Sequence, residues 1–294
     1  MLRVVGVAWV ICMALLLIEQ PSARHISASD NASAIPTNFS TPMPTITAVS
    51  EVRSDFEQYF QRYKLTGSFL LYDYKASKYI RYNPSRSMQR FIPASTFKIM
   101  NSLVGLETKV ITDENFVIKW DGTQYPYPTW NHDQTLQSAI TNSVVWYYQE
   151  VARRVGRERM QHYIDAVGYG NQDISGNLDS FWLDGALRIS PEEQINFLIR
   201  LYKDDLPFSR RTMAIVKKIL ILEKTISYTL RAKTGSGIKL TPMVGWWVGY
   251  LEENDDVYFF ATTVESNQTE DILGNKKLDI TKSILKALSL LKSK

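Results

Sequence analysis

Ser95-Thr96-Phe97-Lys98, read with the Ile92-Pro93-Ala94 before it and Ile99-Met100-Asn101-Ser102-Leu103-Val104-Gly105-Leu106 after it, is the stretch that decides the reading of this chain. A proline-containing loop opens into an apolar run, which predicts a buried helix over Ser95–Glu107 with Ser95 in its first turn. A hydroxyl at that position lies beside free backbone N–H groups and the positive end of the helix dipole. A lysine three residues later falls on the same helix face, within reach of the hydroxyl proton. An ammonium cannot accept a proton, so Lys98 works as a base only if its pocket disfavours the charge. Serine beside such a lysine is an alternative to the serine–histidine pair for acyl transfer.

Spacing alone does not select Ser95. Ser-x-x-Lys recurs at Ser236 with Lys239, at Ser283 with Lys286 and at Ser289 with Lys292. The last two sit on an amphipathic C-terminal stretch and read as a solvated helix face. Motifs further along the chain set Ser95 apart. Lys233-Thr234-Gly235 comes at the end of a run of strand formers, Ile226–Ala232, and Lys-Thr-Gly on a strand beside a Ser-x-x-Lys helix is the second element of penicillin-recognising acyl transferases. The Ser-Asp-Asn element of class A enzymes is absent, and Ser143-Val144-Val145 occupies its interval. Tyr169-Gly170-Asn171 and Phe181-Trp182-Leu183-Asp184-Gly185 come between these and Lys233.

In this order, Ser-Thr-Phe-Lys, Ser-x-Val, Tyr-Gly-Asn, the Trp-Leu-x-Gly segment and Lys-Thr-Gly resemble the class D (oxacillinase-type) serine β-lactamases, over nearly all of the chain from about Val52 onward. The resemblance implies a secreted, periplasmic bacterial enzyme that opens the β-lactam amide of penicillins and related small molecules through a Ser95 acyl-enzyme. It implies Lys98 as general base, carrying a carbamate formed from carbon dioxide or bicarbonate, with no other cofactor and no metal. Val145, Trp182 and Leu183 carry over as the wall of that pocket, the Trp182 indole N–H bonding the carbamate. Ser143 carries over as a bridge between Lys98 and Lys233 that relays a proton to the leaving nitrogen; as a residue it also reads as a helix cap. Lys233, Thr234 and Gly235 carry over to the substrate, Thr234 bonding its carboxylate, and the N–H groups of Ser95 and Ser236 form the oxyanion hole. The family usually places an arginine before its last helix to grip that carboxylate. This chain reads Lys276-Lys277-Leu278 there, with Lys277 the nearer match and Lys276 the alternative. The tyrosine of Tyr-Gly-Asn is assigned to support of the cleft, and specificity to loops around Trp130, Tyr147 and residues 236–242.

Composition bounds the same picture. At 294 residues, 45% hydrophobic and 22% charged, the chain can bury a large core. A net charge of +4, with bases and acids interleaved, offers no footprint for nucleic acid. Arg3 precedes an apolar stretch from Val4 to Ile18, too short to span a membrane comfortably and matching a secretory signal peptide. Ile26-Ser27-Ala28 and Ala32-Ser33-Ala34 both offer cleavage sites. The first gives residues 1–28 as signal peptide, 29–48 as a Ser/Thr/Pro-rich leader and 49–294 as the catalytic domain, with no stable membrane insertion after processing. Cys12 falls inside the signal segment, so the mature chain has no disulfide. His25, His132 and His162 form no metal or triad pattern.

Periodicity predicts a helix from Glu51 to Tyr63, then a hairpin of Ser68–Tyr74 and Lys78–Tyr82. Helices come next at Gln134–Thr141, Val144–Val155, Glu158–Val167, Pro191–Lys203 and Arg210–Leu222. Strands Ile226–Ala232, Met243–Leu251 and Val257–Glu265 and a helix Ile280–Leu291 close the chain. Strands at both ends with helices between predict an α/β chain of the α+β kind: an antiparallel sheet formed by both chain ends, flanking helices and an inserted helical subdomain. The resemblance implies the same serine β-lactamase and transpeptidase-like fold, with the site in the cleft between the two parts. Two alternatives stay open: a β-lactam sensor that is acylated but not turned over, and a cell-wall transpeptidase, against which Val145 stands because those enzymes carry Ser-x-Asn. A homodimer is left open.

Overall fold

The computed structural model describes residues 49–291; the signal and leader segments, with Cys12 and His25, lie outside the described residues. The strands are β1 (Val49–Val52), β2 (Thr66–Asp73), β3 (Lys78–Tyr82), β4 (Ile221–Lys224), β5 (Tyr228–Gly237), β6 (Met243–Glu253) and β7 (Asp256–Ser266). The helices are α1 (Glu57–Gln61), α2 (Pro84–Met88), α3 (Lys98–Glu107), α4 (Leu136–Thr141), α5 (Val145–Val155), α6 (Arg157–Val167), α7 (Pro191–Tyr202), α8 (Arg210–Ile219), α9 (Thr269–Leu273) and α10 (Lys276–Ala287).

The strands form one sheet in the order β1-β3-β2-β7-β6-β5-β4, so the N-terminal hairpin joins the C-terminal strands through the β2–β7 pair. The helices from α2 to α8 are inserted between β3 and β4, as the pattern predicts. Side chains alternate across a strand, and both faces of this sheet are covered. Trp246, Val248 and Tyr250 pack with α3 and α5 in one core, whereas Trp247 and Leu251 join Phe60, Ile272, Ile280 and Ile284 in another. Burial on two faces explains why β6 is buried without a break from Met243 to Leu251. Trp246 and Trp247 are fully enclosed; truncating either to alanine costs about 3–5 kcal/mol.

Two edges differ from the sequence reading. The predicted helix at Glu51 begins instead as β1, which pairs in parallel with β3 from Val49↔Lys78 to Val52↔Arg81, so the sheet is not wholly antiparallel. Val49 and Val52 are both exposed, so no buried stripe marked the strand. The helix predicted to run to Leu222 ends at Ile219. There the Leu220 carbonyl accepts the Ala232 N–H (3.1 Å), drawing the chain into β4 alongside β5. In both places pairing with another strand of the sheet outweighs local preference. Helix α7 keeps its predicted start, where Ser190 and Glu193 form a reciprocal capping box with Pro191 in the first turn.

Candidate active site

Ser95 sits in a 3₁₀ turn, Ala94–Phe97, that runs directly into α3, so the predicted single helix is split at Lys98. At three residues per turn the side chains at i and i+3 eclipse. Lys98 Nζ accordingly lies 2.6 Å from Ser95 Oγ. Ala94, just before the nucleophile candidate, is held at φ +48°, a costly conformation for a residue with a side chain. Its N–H donates to the Trp182 carbonyl (3.0 Å), and the Thr96 hydroxyl donates to the Pro93 carbonyl (2.7 Å). The turn is thus tied on both sides of Ser95.

Lys98 is fully buried. Burial, and then the positive charge of Lys233, push its pKa well below that of a free lysine. Its ammonium faces the Tyr148 ring at 5.5 Å, and the next turn of α3 is clamped to α5 by polar bonds. Asn101 Nδ2 donates to the Tyr148 carbonyl (3.1 Å), and the Ser102 hydroxyl donates to the Lys98 carbonyl (2.7 Å). Because Ser102 spends its proton there, Tyr148 is the donor in the 3.0 Å Tyr148–Ser102 contact. Sequence reading passed over Asn101, Ser102 and Tyr148. The available signal was two polar residues three and four positions after Lys98 in an otherwise apolar helix.

Ser143 occupies the break between α4 and α5, in a left-handed conformation at φ +55°. Two tryptophans brace it: the Trp130 indole donates to the Asn142 carbonyl and the Trp146 indole to the Trp130 carbonyl, each at 3.0 Å. Lys233 Nζ donates to Ser143 Oγ at 3.0 Å and to the Thr234 carbonyl at 3.2 Å. Burial, reinforced by the charge of Lys277, brings the Lys233 pKa down to about 7. Lys-Thr-Gly lies inside β5 rather than beyond its end. Strand β4 pairs with β5 only from Thr229 to Arg231, so on that side no strand pairs with Lys233–Gly237 among the described residues. The nucleophile turn packs there instead. A side chain built on Gly235 would meet the Pro93 carbonyl at 3.0 Å and Thr96 Cγ2 at 3.1 Å, so any larger residue would press the turn outward by a few tenths of an ångström.

The Trp182 ring stacks on Phe97, the residue before Lys98, at 5.4 Å, and its buried indole Nε1 has no hydrogen-bond partner among the described residues. Val145 opens α5, and Leu183 comes after Trp182 and packs on the main core; both are partly exposed. Tyr169 is buried edge-on against Phe97 (5.6 Å) and Phe197 (5.2 Å). Asn171 receives the Arg188 N–H (2.8 Å) and donates to the Ala186 carbonyl (2.9 Å), so Tyr-Gly-Asn braces the Trp182 loop. Tyr147 does not line a cleft loop: it is buried, its hydroxyl donating to the Phe116 carbonyl (2.9 Å).

Lys276 and Lys277 divide clearly. Lys276 pairs with Asp271. Lys277 is 2% exposed and donates to the Ile272 (2.6 Å) and Gly274 (2.8 Å) carbonyls, with burial bringing its pKa to about 8. The Ser236 hydroxyl donates to the same Ile272 carbonyl (3.1 Å).

This arrangement matches known proteins along most of the chain. The penicillin binding protein transpeptidase domain matches residues 63–289. Beta-lactamase OXA-48 of Klebsiella pneumoniae is 43% identical over 244 residues, 83% of this chain and 91% of that one. The regulatory protein BlaR1 of Bacillus licheniformis is 38% identical over 232 residues, 79% of this chain but 38% of that protein. The crystal structure of the class D β-lactamase YbXI from Nostoc superposes with a TM-score of 0.78 at 47% identity, covering 80% of this chain and 99% of that one. The chain belongs to the penicillin-binding transpeptidase-domain family and, within it, to the class D β-lactamases.

Proposed function

We propose that this enzyme hydrolyses penicillins and related β-lactams through an acyl-enzyme on Ser95. The observation that carries the reading is the 2.6 Å contact between Ser95 Oγ and a fully buried Lys98, whose burial disfavours the ammonium. A neutral Lys98 accepts the Ser95 hydroxyl proton as Oγ attacks the lactam carbonyl. The N–H groups of Ser95 and Ser236 take the developing oxyanion, where one donor is worth roughly a hundredfold or more in rate. The lactam C–N bond then breaks. Ser143 gives its proton to the departing nitrogen and is reprotonated by Lys233, whose pKa near 7 suits it to both states. Before that transfer, the positive charge of Lys233, together with the Thr234 hydroxyl, holds the substrate carboxylate.

The Lys98 pocket fits a carbamate. Burial disfavours the ammonium and so favours the free amine that combines with carbon dioxide, and the buried Trp182 indole N–H has no hydrogen-bond partner among the described residues. Trp182 would hold the group, with Val145 and Leu183 at its rim, and when bound it would supply an oxygen base for the water that displaces Ser95 Oγ from the acyl carbon. Export to the periplasm is inferred from the sequence features of residues 1–28. No helix among the described residues is long and apolar enough to cross a membrane.

The similarity to BlaR1 gives the second reading, a receptor that stays acylated. Intact-protein mass spectrometry of residues 29–294 with excess benzylpenicillin, with and without bicarbonate, separates the two. A transient adduct at Ser95, cleared faster with bicarbonate, is expected. A persistent stoichiometric adduct supports the receptor, and absence of any adduct refutes Ser95 as nucleophile.

A further inference from the structure

Lys277 stands where the family usually carries an arginine, and its surroundings are not those of a group that faces a ligand. Its stem lies over Gly245, where a built Cβ would come within 3.2 Å of Lys277 Cδ and 2.9 Å of Val264 Cγ2. Gly245 pairs with Ser236 across β5 and β6. The ammonium is enclosed, and two of its three protons go to the Ile272 and Gly274 carbonyls. Turning toward a substrate carboxylate would break both charge-assisted bonds inside a buried slot. The Ile272 carbonyl is shared, accepting Lys277 at 2.6 Å and the Ser236 hydroxyl at 3.1 Å. That carbonyl therefore links α9 and α10 to β5 one residue beyond Gly235, which rests on the nucleophile turn.

We propose that Lys277 is a positioning residue for the oxyanion strand: by anchoring the Ile272 carbonyl that also holds Ser236, it fixes the Thr234–Ser236 segment against the Ser95 turn, and does not itself grip the substrate carboxylate. The inference rests on the reading of the Ser236 N–H as an oxyanion donor. Its physical basis is geometric: a donor shifted by a fraction of an ångström loses much of its preference for the transition state. The charge of Lys277 still reaches the site, since it lowers the Lys233 pKa. The test must therefore separate placement from field.

Benzylpenicillin and its methyl ester make that separation, because the ester lacks the anion. Lys277→Met is expected to lower kcat/KM for both substrates, by roughly ten- to a hundredfold. The fall should lie mainly in kcat, with the acid-to-ester ratio within about threefold of the parent, since placement acts equally on both. Rates are taken per folded molecule, well below the melting temperature, so that a merely structural loss leaves them unmoved. A fall confined to the acid, carried by KM with the ester unchanged, would overturn the proposal in favour of a direct grip. Ser236→Ala provides a second route if Lys277→Met does not fold. It should lower kcat for acid and ester alike, and an unchanged kcat would count against the proposal. When both variants fold, the double variant should be no worse than the poorer single one, because they act through one carbonyl; full additivity would refute the shared anchor. Failure of benzylpenicillin to acylate the parent enzyme would instead remove the nucleophile assignment, and the inference with it.

Discussion

Replacing Lys233 with methionine should make the protein more stable while disabling it. The side chain is 5% exposed, and methionine matches its length and volume. Burial lowers its pKa from 10.5 to about 7. That drop corresponds to roughly 5 kcal/mol of preference for the unfolded chain, where the lysine is freely protonated. Methionine removes that preference and also the hydrogen bond to Ser143, worth about 2 kcal/mol for a charged donor. The net gain near pH 7 is about 3 kcal/mol, or about 6–12 °C in Tm for a domain of this size. The sign with pH comes from proton binding. Between about pH 7 and 10.5 the unfolded lysine holds its proton and the folded one does not, so parent stability rises with pH and the variant lacks that slope. The gap should be full at and below pH 7 and close by pH 10.5, where the lost hydrogen bond leaves the variant slightly weaker. Urea unfolding followed by circular dichroism at about pH 6, 7, 8.5 and 10 measures it. A variant less stable at pH 7, or a gap that does not narrow with pH, would refute the reasoning. Turnover of benzylpenicillin should meanwhile fall by about a hundredfold or more.

Three other substitutions probe the site. Ser95→Ala should abolish both the mass-spectrometric adduct and turnover, by roughly a factor of 10⁶; residual hydrolysis of the parent order would point to another nucleophile. Trp182→Phe keeps the stack on Phe97 but deletes the buried indole N–H. It should prolong the acyl-enzyme by roughly ten- to a hundredfold and weaken its response to bicarbonate, read by quenched time courses; an unaltered lifetime would exclude Trp182 from holding a carbamate. Gly235→Val puts a branched side chain against Pro93 and Thr96, and acylation by nitrocefin should slow by about a hundredfold with the fold retained by circular dichroism. An undisturbed rate would mean that the nucleophile turn does not depend on that contact.

The site was more legible than the fold's margins. Ser95, Lys98, Ser143 and Lys233 each carry a polar group where the chain pattern calls for an apolar or capping one, and the structure brings them into two hydrogen-bonded pairs. The central strands announced themselves because β6 carries an unbroken apolar run from Met243 to Leu251. Strands β1 and β4 did not, because an edge strand with exposed side chains has no periodicity and exists only through its neighbour. The Ile272 carbonyl was equally unreadable: a backbone acceptor has no letter in the sequence. Tyr147 was misplaced for the opposite reason. It was assigned to the specificity loops, but on α5 its ring is buried and its hydroxyl donates to the Phe116 carbonyl.

The β2–β7 pair has a bearing on synthesis. The bond between Ser68 and Thr263 joins positions 195 residues apart. The middle of the sheet is therefore empty until the last strands have left the ribosome, and the N-terminal hairpin waits for a partner made near the end of translation. Such long-range closure is slow. A fragment ending before β7 lacks the strand that joins the N-terminal hairpin to β6 and so cannot close the sheet. Closure of the central sheet thus waits on the strand that comes last in the chain order.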